Sequence, residues 1–253
     1  DSHTYQLVDA KGNLIDDANF VIKDNAIVVR DSASLDFETS ASQTLHVQVT
    51  DKAGASHIED ITISIEDAND APTAIKLDGG RVSEAAEAGT VVGKLYTADA
   101  DKGDAHRYQI VDAKGNIVDD VNFVIKDTAI VVRDGASLDF ETSASQTLHV
   151  QVTDKAGASH VEDITISIEN ANDAPTAIKI DGGSVSEAAD AGTVVGKLYT
   201  ADADKGDAHT YQLVDAKGNL IDDANFVIKD NAIVVRDGAS LDFESSASQT
   251  LHV

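Results

Sequence analysis

The sequence predicts an all-β chain built of tandem seven-stranded Greek-key β-sandwiches. The chain repeats with a period of 103 residues, marked by Tyr5, Tyr108 and Tyr211. Within each repeat, apolar and polar residues alternate over short runs, as in half-buried strands, and helical spacing is not sustained. A period of this length matches one small sandwich domain, whereas solenoids and propellers repeat every 20 to 50 residues or so.

The strands are bounded by glycine, aspartate and asparagine. In the turn 112–116, Gly115 can adopt a positive φ and so allow the chain to reverse direction. Residues Asp154 to Gly157 form a similar turn. Seven strands in one repeat fit an immunoglobulin-like sandwich. The candidate strands are Ala74–Leu77 (again at Ala177–Ile180), Thr90–Tyr96, His106–Val111, Phe123–Lys126, Ala129–Arg133, Thr147–Thr153 and Glu162–Glu169.

The copies of the repeat are nearly identical. Residues 1–47 and 104–150 differ at eight positions, and most of the exchanges are conservative. Pro72 and Pro175 each follow Asn-Asp-Ala and mark the predicted boundaries, because proline favours an extended connector. We expect one whole repeat between two incomplete ones in a longer parent protein. The predicted domains are 1–72, 73–175 and 176–253.

The composition narrows the class of partner. The chain has 45 acidic and 19 basic residues, a formal net charge of −26, which argues against nucleic acid or an anionic membrane surface and favours cations. It has no cysteine, so disulfides and thiolate metal sites are excluded. No apolar run approaches the roughly 18 residues of a membrane span. The hydrophobic fraction of 42% suffices for a packed core.

Five acidic motifs recur at fixed phases and resemble those of a cadherin-type domain. They read, in order, VSEAAEAGTVVG, YTADADKGDAH, LDFET, QVTDKAG and EDANDAPT or ENANDAPT. Near-identical copies without cysteine further resemble the extender repeats of large bacterial surface adhesins of the RTX type. Phenylalanine stands where the family's LDRE motif has arginine, a position that is not normally a ligand.

The resemblance implies Ca²⁺ ions held between successive repeats. For the first junction it implies the ligands Asp36, Glu38, Asp67, Asn69, Asp70, Asp99, Asp101 and Asp154. For the second junction it implies Glu84, Asp139, Glu141, Asn170, Asn172, Asp173, Asp202 and Asp204. A third set, Glu187, Asp242 and Glu244, points to a junction beyond Val253. Asn170 stands where Asp67 stands one repeat earlier, so we expect the second junction to bind more weakly.

A physical argument supports a cation independently. Two carboxylates about 4 Å apart repel by about 4 kcal/mol at an effective dielectric constant near 20, and the first junction would gather seven carboxylates. Ca²⁺ accepts six to eight oxygen ligands in flexible geometry, which suits such a set better than octahedral Mg²⁺.

Other chemistries fit less well. The run from Asp99 begins like an EF-hand loop, but Ile110 occupies the position that needs glutamate. His106, His149 and His160 lack the spacing of a transition-metal site. Nucleophile elbows, phosphate-binding loops and HExxH are absent from the sequence, and carboxylates repeated at domain joints do not resemble the single pair of a glycosidase. We expect no enzyme.

The sequence therefore predicts an extracellular, cell-surface, calcium-rigidified spacer of a bacterial adhesin, with neighbouring repeats of the chain as its partners and no membrane insertion in this segment. One alternative is that the repeats themselves bind glycans or identical repeats, with Tyr96 and Tyr108 as stacking candidates. Another is assembly into a surface filament or layer.

Overall fold

The computed structural model describes residues 3–253, and every helix or strand within that range is a β-strand. The predicted all-β class is confirmed. The strands are β1 (Thr4–Val8), β2 (Phe20–Lys23), β3 (Ala26–Val29), β4 (Ser42–Thr50), β5 (Ser56–Ser64), β6 (Ala74–Gly79), β7 (Arg81–Ser83), β8 (Val91–Ala98), β9 (Arg107–Val111), β10 (Phe123–Lys126), β11 (Ala129–Val132), β12 (Ser145–Thr153), β13 (Ser159–Glu169), β14 (Ala177–Gly182), β15 (Val194–Ala201), β16 (Phe226–Lys229) and β17 (Ala232–Val235).

The described chain forms two compact units. Unit 1 comprises the described residues up to Gly80 together with Glu87–Ala136 and Thr147–Ile166. Unit 2 comprises Arg81–Ala86, Ser137–Gln146 and Ser167–Val253. The domain boundaries derived from the repeat remain a prediction.

Unit 1 holds two sets of sheets. A three-stranded sheet β1-β4-β5 and the hairpin β2-β3 share a core of Leu7, Phe20, Leu45 and Val47. A four-stranded sheet runs β10-β11-β8-β6, and β12 pairs with β9 and with β13. Fully buried side chains come from both of these last sheets, for example Phe123 on β10 and Ile166 on β13. Along much of β12 and β13 every second residue is buried, which is why alternation in the sequence located these two strands.

Unit 2 contains the four-stranded sheet β14-β15-β17-β16. Leu198, Phe226, Ile233 and Val235 form its core, against which Leu251 and other partly buried side chains pack. In this unit β7 also pairs in parallel with the last residues of β13.

In the central repeat a break separates β6, which contains the predicted first strand Ala74–Leu77, from a second, short strand. β6 pairs antiparallel with β8, whereas β7, which the sequence analysis missed, pairs with β13. At the break, Gly79 and Gly80 have φ values of 109° and 90°, in the region that favours glycine. Gly79 lies opposite Gly93, where an added Cβ would be 2.5 Å from the carbonyl oxygen of Asp78. Only glycine permits this approach of the two strands.

The predicted turn at 112–116 is confirmed. Gly115 has a φ of 81°, and the carboxylate of Asp112 accepts hydrogen bonds from the backbone amides of Lys114 (2.8 Å) and Asn116 (2.9 Å). Asp112 therefore stabilises a turn, as expected for the aspartates that border turns.

Candidate metal centres

The first junction cluster lies in unit 1 and comprises the residues predicted for the first junction: Asp36, Glu38, Asp67, Asn69, Asp70, Asp99, Asp101 and Asp154. They come from four segments: the turn before β4, the connector between β5 and β6, the loop after β8, and the turn after β12. Carboxylate oxygens of Glu38, Asp70 and Asp101 lie within 4.8 Å of one another. Three separate segments therefore contribute to one group.

The connector is held by carboxylates of the following repeat. The amide of Asp70 donates to Asp101 Oδ2 at 2.7 Å. The side chain of Asn69 donates to Asp154 Oδ2 at 2.9 Å and to the carbonyl oxygen of Asp70 at 2.9 Å. Asp154 is buried and also accepts from the amide of Gly157 at 2.6 Å. These bonds link the connector to two loops of the next repeat.

Asp99 is oriented by a histidine. Its side chain is 4% exposed, and His106 donates from Nε2 to Asp99 Oδ2 at 2.7 Å. Asp99 Oδ1 accepts from the amide of Asp101 at 3.1 Å. The sequence does not predict this role for His106. Its position seven residues after Asp99 across a loop offered no periodic signal.

The second junction cluster lies in unit 2 and contains the residues predicted for the second junction: Glu84, Asp139, Glu141, Asn170, Asn172, Asp173, Asp202 and Asp204. Here the carboxylate oxygens within 4.8 Å of one another belong to Glu84, Asp139 and Glu141. Glu84 accepts from two backbone amides, those of Phe140 and Ala171, both at 2.6 Å. The carboxylate of Glu84 thus accepts hydrogen bonds both from the turn that carries Asp139 and from the connector.

The connector of the second cluster repeats the pattern of the first. The amide of Asp173 donates to Asp204 Oδ2 at 2.6 Å, and Asn172 donates to the carbonyl oxygen of Asp173 at 2.7 Å. Asp202 accepts from the amide of Asp204 at 3.1 Å and from His209 at 2.8 Å. The same hydrogen bonds therefore occur one period apart.

Asn170 distinguishes the second cluster. Its side-chain amide donates to Glu141 Oε1 and Asp204 Oδ1, both at 3.0 Å. It therefore bridges two carboxylates at the position that Asp67 occupies one period earlier.

A third acidic group lies in unit 2. Carboxylate oxygens of Glu187, Asp242 and Glu244 lie within 4.8 Å of one another, and all three residues are exposed. Glu187 accepts from the amide of Phe243 at 2.9 Å, as Glu84 does from Phe140. This group contains the same three motif positions as the second cluster.

Desolvation and, after it, electrostatic repulsion raise the pKa of several cluster carboxylates. A backbone hydrogen bond lowers the pKa of Glu38, but desolvation and the charges of Asp67 and Asp101 outweigh it, so the pKa is raised. Desolvation raises the pKa of Glu141 and of Asp173, and in both cases the charges of Glu84 and Asp204 add to it.

Hydrogen bonds lower the pKa of other carboxylates. The side chain of Thr142 lowers the pKa of Asp139, that of Asn69 lowers the pKa of Asp154, and that of His209 lowers the pKa of Asp202. These hydroxyl and imidazole donors were not predicted, because nothing in the sequence marks them as partners of an acid. The clusters hence combine carboxyl groups whose ionised form is favoured with carboxyl groups whose ionised form is disfavoured.

The clusters lack cationic partners from lysine or arginine. Within residues 3–253 the only ion pairs of their carboxylates are those of His106 with Asp99 and His209 with Asp202. The donor set consists of carboxylate and amide oxygens, which are the hard ligands that Ca²⁺ and Mg²⁺ take. The residues present fit a divalent cation.

One predicted stacking residue is not available. Tyr108 is buried, and its hydroxyl lies 2.6 Å from Thr97 Oγ1. The proposal that it stacks on a glycan was wrong, because its alternating position on β9 faces the core. Tyr96 is 52% exposed.

The chain is similar in sequence to cadherins. It is 27% identical to Cadherin-7 of Gallus gallus over 239 residues, covering 87% of this chain and 30% of that protein. It is 30% identical to Protocadherin Fat 4 of Mus musculus over 207 residues, covering 77% of this chain and 4% of that protein. The chain thus spans under a third of the curated relatives. No family model matches it.

Solved structures share the fold. Protocadherin Gamma B7 extracellular cadherin domains 1–4 align with a TM-score of 0.62 at 24% identity, over 96% of this chain and 60% of that one. Human CDH23 EC21-23 aligns with a TM-score of 0.55 at 21% identity, over 96% and 80%. The chain has a cadherin-like β-sandwich fold. Within the described residues, no helix could cross a membrane.

Proposed function

We propose that this chain is a calcium-dependent spacer, in which Ca²⁺ bound at the first and second junction clusters stiffens the connections between repeats. The observation that carries the proposal is that each cluster joins a connector to carboxylates from the flanking loops. Asp101 and Asp204 bond the connector amides of Asp70 and Asp173 in the same way, 103 residues apart. Because this hydrogen bond recurs at each joint, we infer that the clusters stabilise the joints and do not form a single ligand-binding site.

The charge of the clusters supports a divalent cation. Desolvation, and after it the charges of neighbouring carboxylates, disfavour the ionised form of Glu141 and Asp173 and raise the pKa of both. A cation would convert this repulsion into attraction. Ca²⁺ suits the number and irregular placement of the oxygens better than Mg²⁺, which requires a near-ideal octahedron.

Binding would stiffen the connector because its ligands come from more than one repeat. The connector between β5 and β6 has no strand structure. Within it, the side chain of Asn69 donates a hydrogen bond to Asp154, and the amide of Asp70 donates one to Asp101. An ion that binds only the ordered joint stabilises it by mass action.

The wider context is also part of the proposal. Near-identical repeats suit a spacer, because length can change by whole repeats without loss of role. Their cadherin-like fold is that of proteins whose names denote extracellular domains. We place the chain outside the cell, on a bacterial surface, as the extender of an adhesin; the similar proteins named above are from chicken, mouse and human.

Calorimetric titration of the 253-residue chain with Ca²⁺ tests the binding step. We expect saturable binding of at least one ion per complete cluster, with Mg²⁺ binding more weakly. Absence of binding at millimolar Ca²⁺ would mean that the clusters are surface charge, and the spacer proposal would then fail.

A second candidate is that the repeats are themselves adhesive. The exposed ring of Tyr96 on the outer face of β8 supports a glycan contact. Tyr199 is exposed at the same position of β15, so the double variant Tyr96→Ala and Tyr199→Ala should abolish binding on a glycan array if this candidate holds. An array without signal for the unaltered chain argues against it.

A further inference from the structure

The outward face of the unit 1 sheet β10-β11-β8-β6 carries positive charge in a strongly acidic chain. Lys76 on β6, Lys94 on β8 and Lys126 on β10 are all exposed. Asp78 lies opposite Lys94, and Ala129 lies opposite both Lys94 and Lys126. Lys76 lies two residues before Asp78 on the same strand. Because opposite residues and alternate residues point to one side of a sheet, the three lysines share a face.

An exposed aromatic ring lies on the same face. Tyr96 lies directly opposite Lys76 and two residues after Lys94, and it is 52% exposed. Directly opposite residues have Cβ atoms about 4.5–5.5 Å apart. The ring and the neighbouring ammonium groups can therefore contact one ligand together. Lys76, Lys94, Tyr96 and Lys126 form the lysine face of unit 1.

The lysines of this face have no acidic partner in the structure. Within residues 3–253, each ion pair is formed by an arginine or a histidine, and none by a lysine. Asp78 is the only acidic residue in the four strands, and Asp127 lies in the turn that follows β10. The four strands therefore have a local excess of positive charge.

The same arrangement recurs in unit 2. Lys179, Lys197 and Lys229 are exposed, and Tyr199, which lies opposite Lys179, is 51% exposed. Ala232 lies opposite both Lys197 and Lys229. Each of these residues follows its counterpart in unit 1 by 103 positions. The lysine face is thus a property of the repeat.

We propose that the lysine face binds an acidic polysaccharide, that is, a polymer of sugars that carry carboxylate or sulfate groups. A tyrosine ring offers an apolar surface to the C–H bonds of a sugar and a hydroxyl group for hydrogen bonding. The flanking ammonium groups can pair with anions on the same sugar or on the next. An open sheet face suits an extended polymer, whereas small ligands bind in concave sites. This inference rests on the second candidate function, glycan binding by the repeats, and names the class of glycan.

The charge of the whole chain favours a polyanion with widely spaced charges over nucleic acid. Double-stranded DNA carries one negative charge per about 1.7 Å of its axis, and a chain of net charge −26 repels so dense a polyanion. A polysaccharide with widely spaced anions can reach the lysine face while few of its charges approach the acidic loops. The acidic loops of a second copy would pair with the lysines but would leave the ring of Tyr96 without a stacking partner.

The test measures binding of the 253-residue chain to three immobilised polymers by biolayer interferometry. The polymers are polygalacturonate, which is carboxylated, heparin, which is sulfated, and dextran, which is neutral. EGTA is present throughout, so that calcium cannot bridge a polyanion to the acidic clusters. We expect saturable binding to one or both acidic polymers and not to dextran, and this binding should weaken steeply as the salt concentration rises.

Two variants that each remove four lysine charges separate the lysine face from net charge. The face variant should bind the acidic polymer at least about tenfold more weakly; it carries Lys76→Gln, Lys94→Gln, Lys179→Gln and Lys197→Gln. The turn variant alters exposed lysines in turns and should change binding by less than about twofold; it carries Lys11→Gln, Lys52→Gln, Lys114→Gln and Lys217→Gln.

Equal weakening in the two variants would mean that binding follows net charge, and it would overturn the proposal. Binding to dextran alone would also overturn it but would leave glycan binding as a candidate function, whereas no binding to any polymer would remove both. Self-association that the face variant abolishes, without polymer binding, would assign the lysine face to a second copy and overturn the proposal as well. The spacer function is tested separately by the calcium titration.

Discussion

At the residue scale, one carboxylate in each cluster accepts a hydrogen bond from the connector backbone and is also a proposed ligand of the ion. Asp101 and Asp204 each lie in a cluster and accept a connector amide. Replacing one of them by asparagine removes a charge and keeps the size of the side chain.

We therefore expect Asp101→Asn to weaken calcium binding at the first junction cluster, and Asp204→Asn at the second, by at least about tenfold each. Calorimetry would resolve one class of sites lost in each variant. Asp112→Asn, in a turn outside both clusters, is the control and should bind like the unaltered chain. If all three variants bind equally, the clusters are not the ion sites.

Asn170 offers the reverse change. It bridges Glu141 and Asp204 as a neutral donor, where the first cluster has Asp67. Asn170→Asp should raise calcium affinity at the second cluster and lower the melting temperature in EGTA, because the substitution adds a charge and removes both hydrogen bonds. The reciprocal variant Asp67→Asn should weaken the first cluster. Changes of the same sign with and without calcium would contradict this account.

The raised pKa of Glu141 predicts a pH dependence for the calcium-free chain. A group whose pKa is raised in the folded state binds more protons there than when unfolded, so its contribution to stability is present at low pH. That contribution is lost as the pH rises from the ordinary value of 4.5 through the raised value. Desolvation and the charge of Glu84 are the causes.

In EGTA, Glu141→Gln should therefore raise the melting temperature at neutral pH and lose this advantage at about pH 4. The glutamine oxygen can still accept from Asn170, which keeps the hydrogen bond. Glu87→Gln, an exposed residue outside both clusters, should show no such trend. An advantage of Glu141→Gln that is equal at both pH values would point to a cause other than titration.

At the element scale, paired glycines allow the first strand to leave one sheet and join another. Gly93→Ala would place Cβ 2.5 Å from a backbone oxygen, which cannot move as a flexible side chain can. We expect a loss of about 1–3 kcal/mol in the free energy of unfolding by urea denaturation. Lys94→Ala, on the exposed face of the same strand, should cost under about 0.5 kcal/mol. Equal losses would mean that the close approach is not a constraint.

The elements differ in how far they could be predicted. β10 was located to the residue, as a short run of aromatic and β-branched residues that ends at Lys126; its burial falls from Phe123, which is buried, to Lys126, which is exposed. β7 was missed because three residues are too few to show a period and two glycines precede it. The acidic positions were predictable from their fixed phases. Their partners, such as His106 and Thr142, were not, because those contacts arise only when loops meet in the fold.

At the scale of the whole molecule, a cadherin-like fold with nearly identical repeats supports a spacer. We propose that calcium sets the stiffness of the joints, so that binding changes the dimensions of the chain and not only its stability.

Small-angle X-ray scattering of the 253-residue chain, in millimolar Ca²⁺ and then in excess EGTA, tests this claim most directly. With calcium we expect a long and sharply bounded maximum dimension, and in EGTA a broader distribution of distances. The double variant Asp101→Asn and Asp204→Asn should scatter in calcium as the unaltered chain does in EGTA. Identical curves for the unaltered chain with and without calcium would contradict the account, even if calorimetry detects bound ions.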